Sequence, residues 1–139
     1  MALIAIADLG AALAVVSQCL DVGGSFVFSI TQPCFQSPGS EWFTDDTGRR
    51  GRRIFEYFDE RGWRSSNPDG VRGRVDDYHR TLSTYVNTLA AQSLFIDTMV
   101  EPRRPPSDRL PADDLIPSTL VARCAKRERS RVQVGRRRE

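Results

Sequence analysis

The sequence predicts an α/β fold, and three stretches carry that prediction. Asp8 to Cys34 reads as a helix, a glycine turn, a buried strand and a short polar loop. Thr81 to Gln92 returns to helical spacing and runs into a second strand, Leu94 to Val100. A last apolar run, Ser118 to Ala125, reads as a third strand. Helices that alternate with uncharged strands are the signature of a sheet flanked by helices.

In chain order, Met1 to Ala7 is apolar and too short to be more than the tail of a strand. An α/β sheet needs several strands, so the chain is expected to open part-way through one and to be truncated. Asp8 is placed to cap the next helix, its carboxylate accepting from the first free backbone N–H groups. Leu9, Leu13, Val16 and Leu20 recur at helical spacing and put one stripe toward a core. Gly23 and Gly24 follow the last apolar position, where a helix commonly ends in a left-handed residue that glycine adopts cheaply. Ser25 to Ile30 is β-prone and uncharged. A strand without clean polar alternation is expected to be covered on both faces, as in a parallel sheet. Its loop, with Pro33 and Cys34, lies at the carboxyl end of the strand, where open α/β sheets place ligands.

The composition then changes. Residues 36–77 hold glycines, prolines, an arginine cluster and isolated aromatics (Trp42, Phe43, Tyr57, Phe58, Trp63) and read as a long irregular insertion, a lid over a substrate or a disordered segment. Within it, Ile54 to Phe58 suits a short strand or a turn of helix. The chain thus divides into a strand–helix–strand core at 1–35, the insertion at 36–77, a helix with a C-terminal antiparallel strand pair at 78–125, and a basic tail at 126–139. The tail lacks apolar residues and is expected to be disordered. Glu101-Pro102 ends the second strand, because proline cannot donate to a ladder.

Bulk numbers exclude more than they propose. At 139 residues the chain is one domain at most, and its net charge of +2 is too small to imply nucleic acid. Arg49-Arg50, Arg52-Arg53 and the tail Arg136 to Arg138 could meet phosphates, but acidic residues surround the first cluster and the tail is short, so a solvated face is the expected reading. Three cysteines without C-x-x-C spacing and one histidine make no zinc site, and point to reduced thiols in a cytoplasmic protein. The apolar N-terminus lacks a positive leader region, and Leu9 to Leu20 is far short of the ~20 residues of a membrane span.

The order D-L-x-x-A-L-x-x-V-x-x-x-L-x-x-G-G-x-F-V-F-S-I-x-x-P-C-F, from Asp8 to Phe35, resembles class I S-adenosylmethionine-dependent methyltransferases, where the helix after the fourth strand meets a Gly-Gly turn and the fifth strand. Y-H-R-T-L-S-T-Y-V-N-T-L, then F-I-D-T-M-V-E-P-R, is similar to the helix and sixth strand of that family; I-P-S-T-L-V-A-R-C-A-K is similar to its seventh strand, antiparallel to its neighbours. The resemblance spans residues 2–35 and 78–126. It implies the C-terminal part of a Rossmann-like methyltransferase sheet, strands four to seven with flanking helices. The chain departs from the family pattern at Val15 and Gln18 (Glu and Arg there), at Asp21-Val22 (a basic residue and proline), at Gln32 (histidine) and at Ser93 (glycine).

The resemblance also implies a cofactor, S-adenosylmethionine, and a small-molecule acceptor. The family grips the cofactor with a glycine-rich turn after its first strand and an acidic residue ending the second. No G-x-G precedes a helix here, so the cofactor half is expected upstream of Met1 and the chain alone is not expected to bind the cofactor. Tyr78, His79 and Arg80 precede a helix on what the family makes the substrate side. His79, the single histidine, titrates near neutral pH and suits a general base; it suits a helix cap or a solvent-facing residue as well. Pro33, Cys34, Tyr78 and Arg80 are the candidate substrate-binding residues. The insertion's aromatics either wall an apolar acceptor or anchor the loop. The alternative is a non-enzymatic interaction module that pairs with itself or a partner through an open sheet edge.

Overall fold

The computed structural model describes residues 2–64, 76–103 and 115–128. Two helices, α1 (Leu9–Cys19) and α2 (Leu82–Ala91), pack on a three-stranded sheet of β1 (Ser25–Thr31), β6 (Leu94–Val100) and β7 (Thr119–Lys126). The order is β1-β7-β6 and both pairings are antiparallel, so β1 and β6 run in the same direction with a reversed strand between them. Two smaller antiparallel pairs lie in the insertion, β2 (Glu41–Thr44) with β3 (Arg50–Arg53), and β4 (Gly62–Trp63) with β5 (Asp77–Tyr78).

The core follows from the two periodicities. Phe28 and Ile30 of β1 share a face with their partners Ala122 and Leu120 of β7, and Cys124 of β7 pairs with Ile96 of β6. Onto this face α1 lays Leu9 and Leu13, and α2 lays Tyr85 and Leu89. Leu13, Ile30, Leu89, Leu94 and Leu120 are fully enclosed, each worth about 1.5–3 kcal/mol of transfer free energy. Burial pushes the Cys124 thiol up to about 11, which keeps it protonated and inert at neutral pH.

Capping fixes the helix ends. Asp8 accepts from the Ala11 N–H at 2.8 Å, as its position predicts. The other end of α1 differs from expectation. Leu20 is already extended, and the carbonyls of Ser17 and Leu20 accept instead from Lys126 Nζ at 2.7 and 2.8 Å, a cation set against the negative end of the helix. Gly23 and Gly24 close a separate β-turn. Gly24 N–H donates to Asp21 O at 2.9 Å with Gly23 at φ +84°, the type II arrangement that requires glycine at its third position. Thr81 caps α2 by accepting from Thr84 N–H at 3.2 Å. Beyond its far end Ser93 takes φ +61°, the left-handed conformation for which the related pattern has glycine.

Four further expectations are corrected. Ala2–Ala5 forms a 3₁₀ turn that buries Leu3 and Ile4, not the tail of a strand, so no fourth strand joins the sheet among the described residues. Among the described residues the sheet is covered on one face only, since Val27 on the opposite face of β1 is 61% exposed. The insertion is not irregular throughout. Its β2–β3 hairpin turns at Asp45, which accepts from Thr47 and Arg49, and Arg52 ties it back by donating to Phe35 O. Ile54 to Phe58, in contrast, forms neither strand nor helix. Beyond Glu128 the basic tail lies outside the described residues, with Arg136 to Arg138. No described helix is long and apolar enough to cross a membrane.

Candidate functional site

A small cavity of about 20 Å³ lies where the carboxyl end of β1 meets the segment leading into α2. Thr31 and Pro33 form the β1 side; Tyr78, His79 and Arg80 form the other. Four of the five residues singled out in the sequence (Pro33, Tyr78, His79, Arg80) therefore meet around one space, although more than forty positions separate Pro33 from the rest. Cys34 does not line that space. Its thiol turns toward the Tyr57 hydroxyl at 3.9 Å, and its N–H donates to Gln32 Oε1 at 2.6 Å. Gln32, which stands where the related pattern has histidine, is buried and donates onward to Glu101 Oε1 at 2.6 Å.

His79 is 6% exposed and held from two sides. Its backbone N–H donates to Arg61 O at 2.9 Å, and its Nε2 lies 2.8 Å from Tyr57 O. A carbonyl can only accept, so Nε2 carries a proton, and in the neutral tautomer the lone pair lies on Nδ1. Solvent exposure of His79 is thereby excluded, and its helix-cap role is taken by Thr81.

Arg80 is 8% exposed. Its Nη2 donates to the carbonyls of Ile6 and, at 2.8 Å, Ala7, while Cζ lies 5.4 Å from the Tyr78 ring centre. Nη1 is buried and has no hydrogen-bond partner. Next to it in the cavity wall, burial pushes the Tyr85 phenol pKa up, and a side-chain hydrogen bond with Arg80 and the Arg80 charge restrain that rise.

The insertion is fastened over this region by the start of α2. Glu60 accepts from Thr81 N–H at 2.9 Å, Thr81 Oγ1 at 2.7 Å and Thr84 Oγ1 at 2.5 Å. Burial opposes ionisation of Glu60, but the hydrogen bonds from Thr84 and Thr81 outweigh it and hold the carboxyl below its usual range. The Tyr57 hydroxyl accepts from Leu82 N–H at 3.1 Å, and desolvation pushes its pKa up. The insertion's aromatics divide accordingly. Tyr57 anchors, Trp63 lines the cavity, Trp42 and Phe43 stack against Arg52 and Arg53, and Phe58 is 86% exposed. Gln36, Asp77 and Tyr85 also reach the cavity and were not singled out in the sequence. Tyr85 is visible there only as one apolar position of the α2 stripe.

Two solved structures are similar to this chain in fold and sequence. One is a protein of Listeria monocytogenes assigned as an S-adenosylmethionine-dependent methyltransferase, 30% identical with a TM-score of 0.74 over 92% of this chain and 59% of that one. The other is an S-adenosylmethionine-dependent methyltransferase of Mesorhizobium loti, 28% identical with a TM-score of 0.75 over 90% of this chain and 58% of that one. The chain is similar to methyltransferases. It spans about three-fifths of the length of these two. No protein-family model matches the chain, and no curated protein does.

Neither the cavity at the carboxyl end of β1 nor the groove along the edge of that strand suits the cofactor of those proteins. The cavity is smaller by an order of magnitude than the ~300–1,000 Å³ of a typical cofactor pocket. A groove of about 640 Å³ along the free edge of β1 is large enough, but Val15, Val16, Phe26 and Val27 make it apolar, with no acidic group for ribose hydroxyls. Gly23 and Gly24 are committed to the turn before β1; a Cβ on Gly24 would stand 2.8 Å from Asp21 O, so that glycine answers to its own backbone.

Proposed function

We propose that this chain is the acceptor-side, C-terminal portion of a class I S-adenosylmethionine-dependent methyltransferase domain acting on a small molecule, with β1, β6 and β7 as the fifth, sixth and seventh strands of that sheet. The observation that carries this reading is the order β1-β7-β6 with its middle strand reversed, in a chain 28–30% identical to two methyltransferase structures. The 139 residues do not hold the cofactor by themselves. In the complete domain the cofactor supplies the methyl group.

This chain's part is to receive and orient the acceptor, which is where much of a transfer enzyme's rate arises. Pro33 and Tyr78 wall the site, and Arg80 fixes the polar end of the acceptor. Cys34 acts at one remove, through Tyr57. His79 takes the acceptor's proton on Nδ1, because Nε2 is committed to Tyr57 O. Trp63 and Gln36 exclude water above the acceptor.

The test is a chimera in which residues 2–128 replace the matching portion of the Listeria monocytogenes protein. Given S-adenosylmethionine with a radioactive methyl group and a pool of small metabolites, it is expected to label a small-molecule product. In the chimera, His79→Gln is expected to lower the rate by about 10²-fold. A chimera that binds cofactor but labels nothing contradicts the proposal.

The second reading, an interaction module, is favoured by one observation, the outer edge of β1, which pairs with no strand among the described residues, beside its apolar groove. A stable dimer lost when Val27 is replaced by lysine would support it.

A further inference from the structure

We infer that the outer edge of β1 is a self-pairing surface, on which a second copy of this chain lays its own β1 antiparallel and continues the sheet, an inference that rests on the interaction-module reading above. Edge strands normally refuse partners by charge, proline or a bulge. The two edges of this sheet differ in that respect. On β6 the register slips between Ile96 and Thr98, and Asp97 at that bulge pairs with Arg123 at 2.8 Å. On β1 the seven residues Ser25–Thr31 carry no charge, no proline and no register slip. Their backbone is also ready. Gly24 O receives Lys126 N–H at 2.9 Å, and Gln32 N–H donates to Ser118 O at 3.1 Å. Alternation along that ladder commits Phe26, Phe28 and Ile30 to β7. It turns the N–H and C=O groups of Ser25, Val27 and Ser29 outward, where no strand among the described residues meets them.

The order of the residues selects the partner. Ser25-Phe-Val-Phe-Ser29 reads the same in both directions, which is what a two-fold contact between identical strands asks of a sequence. With the axis through Val27, that residue faces Val27 of the second copy on the open side and Ser25 faces Ser29, while on the covered side Phe26 faces Phe28. The outward backbone groups then meet one another, and each of those pairs closes with two hydrogen bonds. An axis at Phe28 sets Val27 against Ser29 instead and loses the apolar match. A two-fold axis perpendicular to the sheet keeps both α1 helices on one face. The groove of about 640 Å³, walled by Ala12, Val15 and Val16 of α1 with Phe26, Val27 and Phe28 of β1, is then closed by its own counterpart. No charged group lines that groove, so nothing in it repels a second copy. A strand about 23 Å long backed by a helix gives a contact about 20 Å deep, or about 450 Å² of section per copy, roughly half of what a standard interface uses. The pair is therefore a reversible one, with a Kd of about 1–100 µM.

The experiment is sedimentation velocity of the 139-residue chain from about 1 to about 500 µM, where a monomer–dimer equilibrium is expected. Val27→Lys alters an exposed side chain and sets two like charges on the axis; it is expected to weaken the dimer about tenfold or more. Val100→Lys, on the opposite edge strand and 50% exposed, is expected to leave the dimer unchanged. Amide hydrogen exchange of the ¹⁵N-labelled chain reads the geometry. As concentration rises the Ser25, Val27 and Ser29 amides are expected to slow, while Phe26 and Phe28, already bonded to β7, gain far less. Should Val27→Lys fail to fold, that alternation in the unaltered chain still decides the matter. A monomer throughout the range, or a dimer without protection of those three amides, overturns the inference; the second outcome leaves the interaction module standing on another surface. The chimera separates the two in the other direction. There the rest of the domain covers this edge, so a monomeric chimera that transfers methyl groups, beside a dimer of the chain alone, upholds the inference and removes the interaction module as the function.

Discussion

Ser93 stands just past α2 at φ +61°, with its N–H on Ala90 O and its carbonyl receiving Arg127 N–H at 3.0 Å. The backbone there is required by these bonds, and serine adopts it at a cost of about 1–2 kcal/mol. Glycine removes that strain but loses more entropy on folding, so the gain is partial. Ser93→Gly is expected to stabilise the chain by about 0.5–1 kcal/mol and raise Tm by about 2–5 °C, read by calorimetric melting. An unchanged or lower Tm would mean that the serine side chain contributes more than its backbone costs. At the same scale Arg80 and His79 share one logic. Each commits one nitrogen to a backbone carbonyl of another segment, at Ala7 and at Tyr57. Tertiary contact therefore selects both the histidine tautomer and the orientation of the guanidinium.

The latch between the insertion and α2 belongs to the scale of elements. Glu60 and Tyr57 take the N–H groups of Thr81 and Leu82, so a carboxylate and a phenol from the insertion occupy the positive end of the helix. Because the Glu60 pKa is lowered in the folded chain, its contribution is complete above the ordinary carboxylate range and is lost as pH falls through the depressed value. Hydrogen exchange at the Thr81 and Leu82 amides, scaled to their unstructured rates, is expected to accelerate between about pH 5 and about pH 3. Glu60→Gln is expected to bring about the faster exchange at neutral pH and to flatten that acid response, at a cost of about 0.5–1 kcal/mol, the low end for a cap because the side chain is exposed. Exchange that ignores both acid and the substitution would show that the insertion is held elsewhere, for example by Arg52 on Phe35 O.

Across the molecule, what could be read from the sequence was whatever local period or spacing carries. Leu9 and Leu13 marked α1, Tyr85 and Leu89 marked α2, and three apolar runs became β1, β6 and β7 to within a residue at most ends. Ala2–Ala5 was misjudged because a short apolar run does not distinguish a strand from a helical turn. The alternation in Phe26-Val27-Phe28 hid an exposed face behind an apolar residue. Nothing local announces β3, whose Arg50-Gly-Arg-Arg53 holds as a strand through distant contacts: Arg52 on Phe35 O, and Arg53 on Glu41 and Phe43. The site divides in the same way. Pro33, Tyr78, His79 and Arg80 lay in recognisable positions, whereas Gln36 and Glu60 joined them through folding of the insertion, which no periodicity encodes. The central claim, that this sheet is the acceptor end of a methyltransferase domain, is tested most directly by calorimetric titration of S-adenosylmethionine into the chain and into the chimera. The account predicts no stoichiometric binding to the chain and one site per chimera. Saturable binding to the chain alone, or a folded chimera that binds none, would contradict it.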